Sequence, residues 1–350
     1  MADVLYVLGI AGMFLILIAP HEAGHFLAAK LFKVRVLEFS IGAGTRLWST
    51  TRNGTLYALR LLPILGYVRM GGMEAGDFNE PNGFHSRPPL QRIAILAAGP
   101  IANFLVAMVL ITGFGLAQLN SDPGKVVAVL PNTPASQAGL LAGDHIRTLN
   151  GRAITDPGQI QQEESAHKGQ PMVLTGVHAD GKPFTYTVTP QCDQSGCLIG
   201  IQVAHLLTPV TAVQEGVSFP FQATAVIAQG LYSLATGQVK GGLLGPDGLT
   251  GPIGIAATTI DAVNQGPPTY VWLVALLSVA LGVTNLLPLL ALDGGRIVVV
   301  VVEWLRRRPF DRNSELNFQR WGLVALLVLA AVISFLDIQR IASGQFSGVH

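Results

Sequence analysis

Pro20-His21-Glu22-Ala23-Gly24-His25-Phe26 closes an apolar run that begins near Val4 and carries no charged residue as far as Pro20. On a helix the two histidines stand at i and i+4, so both imidazoles share one face, with Glu22 beside them. Two imidazoles on one face next to a carboxylate form the arrangement that binds zinc and moves a proton. A soluble helix with that chemistry needs no membrane-length greasy lead-in. A pentapeptide this polar at the end of such a run therefore points to a hydrolytic metal site inside a bilayer. The plain alternative is a chance HExxH with hydrogen-bonded core histidines, and the pentapeptide alone does not separate the two.

A zinc site needs a third protein ligand. His25 is followed by Phe26-Leu27-Ala28-Ala29-Lys30, which lacks the HxxGxxH continuation that would supply a third histidine. Far along the chain, in another apolar stretch, stands Asn285-Leu286-Leu287-Pro288-Leu289-Leu290-Ala291-Leu292-Asp293-Gly294-Gly295. A carboxylate is costly in lipid, and metal binding accounts for this one, so Asp293 is the expected third ligand.

HExxH in a first span together with NxxPxxxLDGG in a later one resembles the site-2 protease family of intramembrane zinc metalloproteases, in its regulator-of-sigma-E-protease-like form with one PDZ domain. Leu62-Pro63-Ile64-Leu65-Gly66-Tyr67-Val68-Arg69-Met70-Gly71-Gly72 resembles the membrane-associated β-hairpin that follows the first helix. Gly99-Pro100-Ile101-Ala102-Asn103 resembles the family's GPxxN, and Gly251-Pro252-Ile253-Gly254-Ile255 its GPxGI, so the resemblance covers nearly the whole chain. One departure is Leu290, where many bacterial members have a second proline, which implies a less pronounced unwinding around Asn285. The resemblance implies one Zn2+ per chain on His21, His25 and Asp293, with Glu22 as the proton-transfer base. It implies hydrolysis of single-span membrane proteins, the family's substrates including anti-sigma factors and signal-peptide remnants. A substrate helix must unwind before its amide can be reached, and the resemblance gives Asn285 and the hairpin residues Gly66, Tyr67, Gly71 and Gly72 the task of holding the opened strand. Asn103 is expected to tie helices together.

Composition agrees with a membrane enzyme: half of the residues are hydrophobic, only 12% are charged and the mean hydropathy is +0.47. Residues 28–92 hold nine Lys/Arg against four Asp/Glu, whereas 120–268 hold six against ten. The positive-inside rule makes the first stretch cytoplasmic and the second external, with Arg306-Arg307-Arg308, Arg312 and Arg320 marking a second cytoplasmic loop. Four spans are expected at 4–29, 93–119, 270–293 and 321–338. Residues 217–239 are uncharged but moderately polar and are read as interfacial. Parity supports this, because a fifth span before 270 would deliver Asp293 to the wrong side for His21 and His25. The first run lacks a basic leader and a clear cleavage site and is read as an anchor.

Between the second span and that segment, 122–206 alternates strand, short-helix and hairpin signals and resembles a bacterial PDZ domain. It closes with Leu198-Ile199-Gly200-Ile201, similar to the strand-edge loop where PDZ domains receive an extended peptide or a carboxyl terminus. The module serves as a peptide binder, as a size filter against bulky ectodomains, or purely as packing. Cys192 and Cys197 lie inside it as a disulfide or as two thiols. His145, His167, His178 and His205 lack metal-ligand spacing, and they and His85 are read as surface or loop residues.

The expected architecture is a polytopic α-helical membrane protein with four transmembrane helices, a membrane-associated β-hairpin and an inserted α+β PDZ domain. Its parts are 1–121 with HExxH and the hairpin, 122–206 as the extracytoplasmic module, 207–269 as an interfacial connection, and 270–350 with LDGG. The expected location is the bacterial cytoplasmic membrane, with the active site toward the cytoplasm. Lipid and substrate are the partners. No Walker motif or basic-aromatic pattern suggests nucleic acid. A membrane-anchored PDZ scaffold with a dead site would be expected to lose Glu22 or a ligand, yet all four positions are intact. A metal transporter would be expected to show an inverted repeat, which is absent.

Overall fold

The computed structural model describes residues 2–73, 77–193, 196–239, 242, 245, 248–289 and 291–344, so Leu290 lies outside the described residues. The chain separates into two compact units, Met1–Thr112 with Glu215–His350, and Gly113–Gln214.

Helix α1 (Ala2–Leu31) carries the HExxH motif in its inner half, with Pro20 inside the helix immediately before it. Proline has no N–H to donate, so the Ile16 carbonyl one turn back lacks its usual helical donor, one turn ahead of the two histidines. Two long strands follow, β1 (Val36–Arg52) and β2 (Thr55–Met70). They depart from the expected simple hairpin. Phe39 pairs with both Val68 and Tyr57, and Leu59 with both Ile41 and Trp48. Each strand folds back on itself, giving four antiparallel segments in the order 66–70, 36–41, 55–59, 48–52. Gly42 and Gly44, both in the left-handed region at φ 93° and 79°, make the bend in β1. Segment 66–70 is consequently an edge. A short 3-10 turn at Phe84–Ser86 leads into α2 (Pro89–Ala117).

The second unit opens with β3 (Val126–Val129), α3 (Pro134–Ala138), β4 (His145–Leu149), β5 (Arg152–Ala153) and α4 (Gly158–His167). It continues with β6 (Met172–Val177), β7 (Pro183–Val188), β8 (Gln191–Asp193), β9 (Gly196–Leu198) and β10 (Ile201–Val203). A four-stranded sheet runs β5-β4-β6-β7, while β10 pairs with β3 and β8 with β9. Val126, Leu140, Ile146, Met172, Leu174 and Ile199 are buried at its centre. Cys192 and Cys197 face each other across β8 and β9 and are joined as a disulfide. The unit is pinched shut at its base: Asn120 N–H donates to Leu207 O at 3.0 Å and Leu207 N–H returns to Asn120 O at 2.8 Å. Three of its histidines are engaged by acids, His145 Nδ1 with Asp122 at 2.6 Å, His178 Nδ1 with the buried Asp144 at 2.9 Å and His167 Nδ1 with Glu163 at 3.4 Å.

The first unit resumes with α5 (Pro209–Ala235), whose Ala223, with Phe219 and Ile227, packs on Phe104, Ala107, Ala275 and Val279. Phe221 and Tyr232 stay exposed on its other face. Helix α6 (Pro252–Gln265) starts at the GPIGI segment, and its first turn is satisfied from a distance: Asp337 Oδ2 accepts Gly251 N–H and Gly254 N–H, each at 2.9 Å. Helix α7 (Pro267–Leu286) stops seven residues earlier than the expected third span, and Asp293 instead begins a separate helix, α8 (Asp293–Arg306). Pro288 explains the break, since the residue before a proline is pushed out of helical conformation and Leu287 is extended at ψ 146°. The last helix, α9 (Arg312–Ala342), begins well before the expected 321, capped by Asp311 through Ser314 N–H. Among the described residues four helices, α1, α2, α7 and α9, are long and apolar enough to cross a membrane. Helix α5 is not one of them.

Candidate active site

The i, i+4 spacing brings the two imidazoles together: His21 Nε2 and His25 Nε2 are 3.2 Å apart, and both residues are buried. Asp293 arrives from the start of α8, its Oδ2 at 3.3 Å from His21 Nε2 and 3.2 Å from His25 Nε2. Among the described residues this is the one group of three such side chains close enough to share an ion. Three electron-rich atoms packed in this way repel one another unless a cation or proton lies between them. A tetrahedral zinc with bonds of about 2.0–2.1 Å would space its ligand atoms about 3.3–3.4 Å apart, which the triangle nearly matches.

The second nitrogens of the rings differ. His25 Nδ1 lies 2.8 Å from the Ile95 carbonyl, which can only accept, so Nδ1 donates and Nε2 presents its lone pair toward Asp293. His21 Nδ1 is buried without a partner. Close helix contact makes room for the rings. A methyl group on Gly24 would collide with the Ala98 carbonyl, and one on Gly99 with the His25 ring. Gly294 has the same function at the other end, since any side chain there would run into the Leu286 and Leu287 carbonyls and push Asp293 away.

A cavity of about 320 Å³ opens over the triad, lined by Glu22, Gly66, Tyr67, Asn285 and Arg296 among others. Gly66 and Tyr67 thus face the site from the edge segment of the sheet. Gly71 and Gly72, expected alongside them, lie beyond the strand and outside this lining; Gly71 joins the 3-10 turn through Phe84 N–H. Asn285 lines the cavity but turns its Nδ2 back to the Leu281 carbonyl at 3.0 Å. Of the loop 198–201, Ile199 points into the core of the second unit and Leu198 is exposed. Asn103 ties α2 to α7 through its main chain, Ser278 Oγ donating to its carbonyl at 2.9 Å, while both amide atoms are buried without partners.

Sequence reasoning missed Arg296, which lines the cavity and donates through Nη2 to Gln319 Oε1 at 2.8 Å. A basic residue one turn after Asp293 is the signal that the sequence offers for it. Arg312, expected as one of the positive charges that mark a second cytoplasmic loop, is half-buried in an ion-pair cluster. Buried Glu303 of α8 accepts from Arg92 Nη1 at 2.8 Å and from Arg312 Nη1 at 2.6 Å, clamping the helix that starts with Asp293 to α2 and α9. Burial pushes the Glu303 carboxyl up, but the Phe310 N–H and the two guanidiniums outweigh it and hold it below the usual carboxylate range. Beside this cluster His85 is not the solvated loop residue expected. Its ring packs on Phe84 and Phe78, and burial together with Arg312 and Arg92 lowers its pKa to about 3.

A model of peptidase family M50 matches residues 9–329. The zinc metalloprotease RasP of Bacillus licheniformis is 29% identical over 404 aligned residues, which cover 92% of this chain and 96% of that protein. The regulator of sigma-W protease RasP of Bacillus subtilis is 28% identical over 407, covering 92% and 95%. Among solved structures, the PDZ domain of the SdrC-like protein of Listeria monocytogenes is 23% identical and covers 25% of this chain and 93% of its own, with a TM-score of 0.22.

Proposed function

The chain belongs to peptidase family M50, a family of site-2 proteases, and from that premise we propose that it cuts single-span membrane proteins within or near the bilayer. It is a zinc metalloprotease. In this reading His21, His25 and Asp293 hold one zinc ion and Glu22 is the general base. The observation that carries it is the triangle of Nε2, Nε2 and Oδ2 atoms 3.2–3.3 Å apart at the foot of a cavity that Glu22 also lines.

Bound zinc supplies Lewis acidity toward a water and toward the peptide carbonyl. Glu22 takes the proton from the attacking water as its oxygen bonds to the carbonyl carbon, and delivers that proton to the amide nitrogen as the C–N bond breaks. Ile95 O holds His25 in the tautomer that leaves Nε2 free for the metal. The edge segment 66–70 offers main-chain groups to an unwound substrate strand by strand addition, next to Glu22. Asn285 binds the same strand after giving up its intrahelical bond to Leu281.

The chain resides in the bacterial inner membrane with α1, α2, α7 and α9 as spans, the triad toward the cytoplasm and 122–206 outside. That module, PDZ-like in sequence, acts as a size filter or peptide binder. The name of the Bacillus subtilis relative, a regulator of sigma-W protease, supports membrane-protein substrates such as anti-sigma factors. The full chain purified in detergent should contain one zinc and cut a model single-span substrate, and Glu22→Gln should keep the metal while losing cleavage. Turnover by that variant at the wild-type rate, or cleavage by metal-free protein, would sink the assignment.

A further inference from the structure

The loop Leu198-Ile199-Gly200-Ile201 enters β10, which among the described residues is paired along one edge only, with β3. Two of its carbonyls are committed inward: Ile199 O accepts from Ala135 N–H and Gly200 O from Leu130 N–H, each at 2.9 Å. Gly200 sits at φ 85°, and a side chain there would run into Thr133, so the loop is firmly seated. Its Ile199 N–H faces the other way, toward α4, where Glu164 Oε1 accepts it at 3.0 Å. Glu164 is only 4% exposed, and among the described residues no cation pairs with it. Burial pushes its carboxyl up, opposed only by that N–H.

A charged-type residue at such a position needs a reason. Glu164 stands one turn after the buried Ile160 on the same face of α4, where an apolar residue is the ordinary choice. A structural pin for the loop would account for the hydrogen bond, but a neutral Gln or Asn makes the same bond without burying an acid. What the carboxylate adds is negative charge beside the N–H groups that a strand-edge loop of this kind offers to the terminal carboxylate of a bound peptide.

We propose that Glu164 makes this module a reader of internal extended segments: its carboxylate occupies the loop N–H that a free chain end would need, so the edge of β10 accepts a continuing backbone and rejects a C-terminal carboxylate. The inference rests on reading 122–206 as a peptide-binding PDZ-like module. One N–H cannot serve two carboxylates, and the second would also meet the charge of the first. Pairing along Ile201-Gln202-Val203 requires no terminus, only an extended strand with its own N–H and C=O groups. The external segment of an uncut membrane protein presents such internal stretches along its whole length.

The test uses the full chain in detergent and fluorescent decapeptides randomised over their last four residues, made once as free acids and once as C-terminal amides. Wild type should retain the amide pool at least as well as the acid pool. Glu164→Gln, which keeps the hydrogen bond and removes the charge, should raise the acid-to-amide ratio, and Glu164→Ala, which frees the N–H, should raise it by about tenfold or more. Wild-type preference for free acids by about tenfold overturns the proposal by itself, whether or not the variants fold. Well-folded variants whose ratio stays at the wild-type value also overturn it. If no variant retains either pool, the peptide-binding reading falls and the proposal with it, while zinc content and substrate cleavage, measured on the same samples, report separately on the protease.

Discussion

Gly66 lies against Glu22: a methyl group at position 66 would stand 2.7 Å from Glu22 Cγ and 2.8 Å from Ile18 Cγ2. The edge segment and α1 approach this closely because residue 66 has no side chain. Gly66→Ala is therefore expected to swing the flexible Glu22 arm off its line while leaving the histidines untouched. Zinc content should be unchanged and kcat on a model substrate should fall by about 100-fold. A wild-type kcat would mean that Glu22 has more freedom than the contact implies.

Asp293→Asn keeps shape and a weak oxygen donor but removes the negative charge from the triangle. Zinc should be lost to a competing chelator at far lower concentration than from wild type, and cleavage should largely disappear. Stoichiometric zinc with full cleavage would exclude Asp293 as a ligand.

The Arg92–Glu303 pair is almost completely buried, each side chain 6% exposed. Glu303→Ala strands the buried Arg92 guanidinium, whereas Arg312 keeps Glu315 at 2.9 Å, and breaking a buried pair of this kind costs about 3–5 kcal/mol. A lowered thermal midpoint in detergent is the expected readout. The double replacement Arg92→Met, Glu303→Leu should recover part of the loss, because it removes the unpaired charge at Arg92 as well as its partner.

His85 gives the stability a pH dependence of definite sign. The folded state holds its pKa at about 3, while an unfolded chain titrates near 6.5, so the unfolded state binds the extra proton between these values. The contribution of His85 is complete above about pH 6.5 and is lost as pH falls toward 3. His85→Gln should accordingly flatten the acid limb of a plot of melting temperature against pH, and equal slopes for the two proteins would contradict the assigned burial.

Excising 122–206 asks little of the remaining chain, since Asn120 and Leu207 are already hydrogen-bonded to each other at the base of the module. The shortened protein should keep its zinc and still hydrolyse a substrate without a bulky ectodomain. It should also begin to cut substrates whose ectodomains are intact. Continued rejection of these by a folded, zinc-loaded deletion would end the size-filter reading.

The parts of this architecture legible in the sequence are those written in local periodicity. His21 and His25 share a face because helical geometry places i and i+4 together, and the four apolar helices follow from their runs. Asp293 was accessible through the cost of a carboxylate in an apolar stretch, but not its place at the head of a new helix, which depends on Pro288 ending the one before. The doubled-back sheet escaped because alternation in 36–70 looks the same whether two strands run straight or each folds at a glycine. The tautomer of His25 rests on a backbone carbonyl, which no side-chain pattern reports. Glu303 and Arg92 lie 211 residues apart, and their pairing is a matter of tertiary packing alone.

Asp337 gives the order of synthesis a role in the fold. A ribosome that has reached residue 336 has already made every residue of the triad and all of α6, but not the carboxylate that accepts the Gly251 and Gly254 N–H groups. Helix α6 in turn braces the first helix: Thr259 reaches Met13, and Asn264 receives the hydroxyl of Tyr6. The helix that carries HExxH is made first, yet its neighbour gains its cap only when α9 is nearly complete, so a nascent chain holds His21, His25 and Asp293 before it holds the scaffold that steadies them.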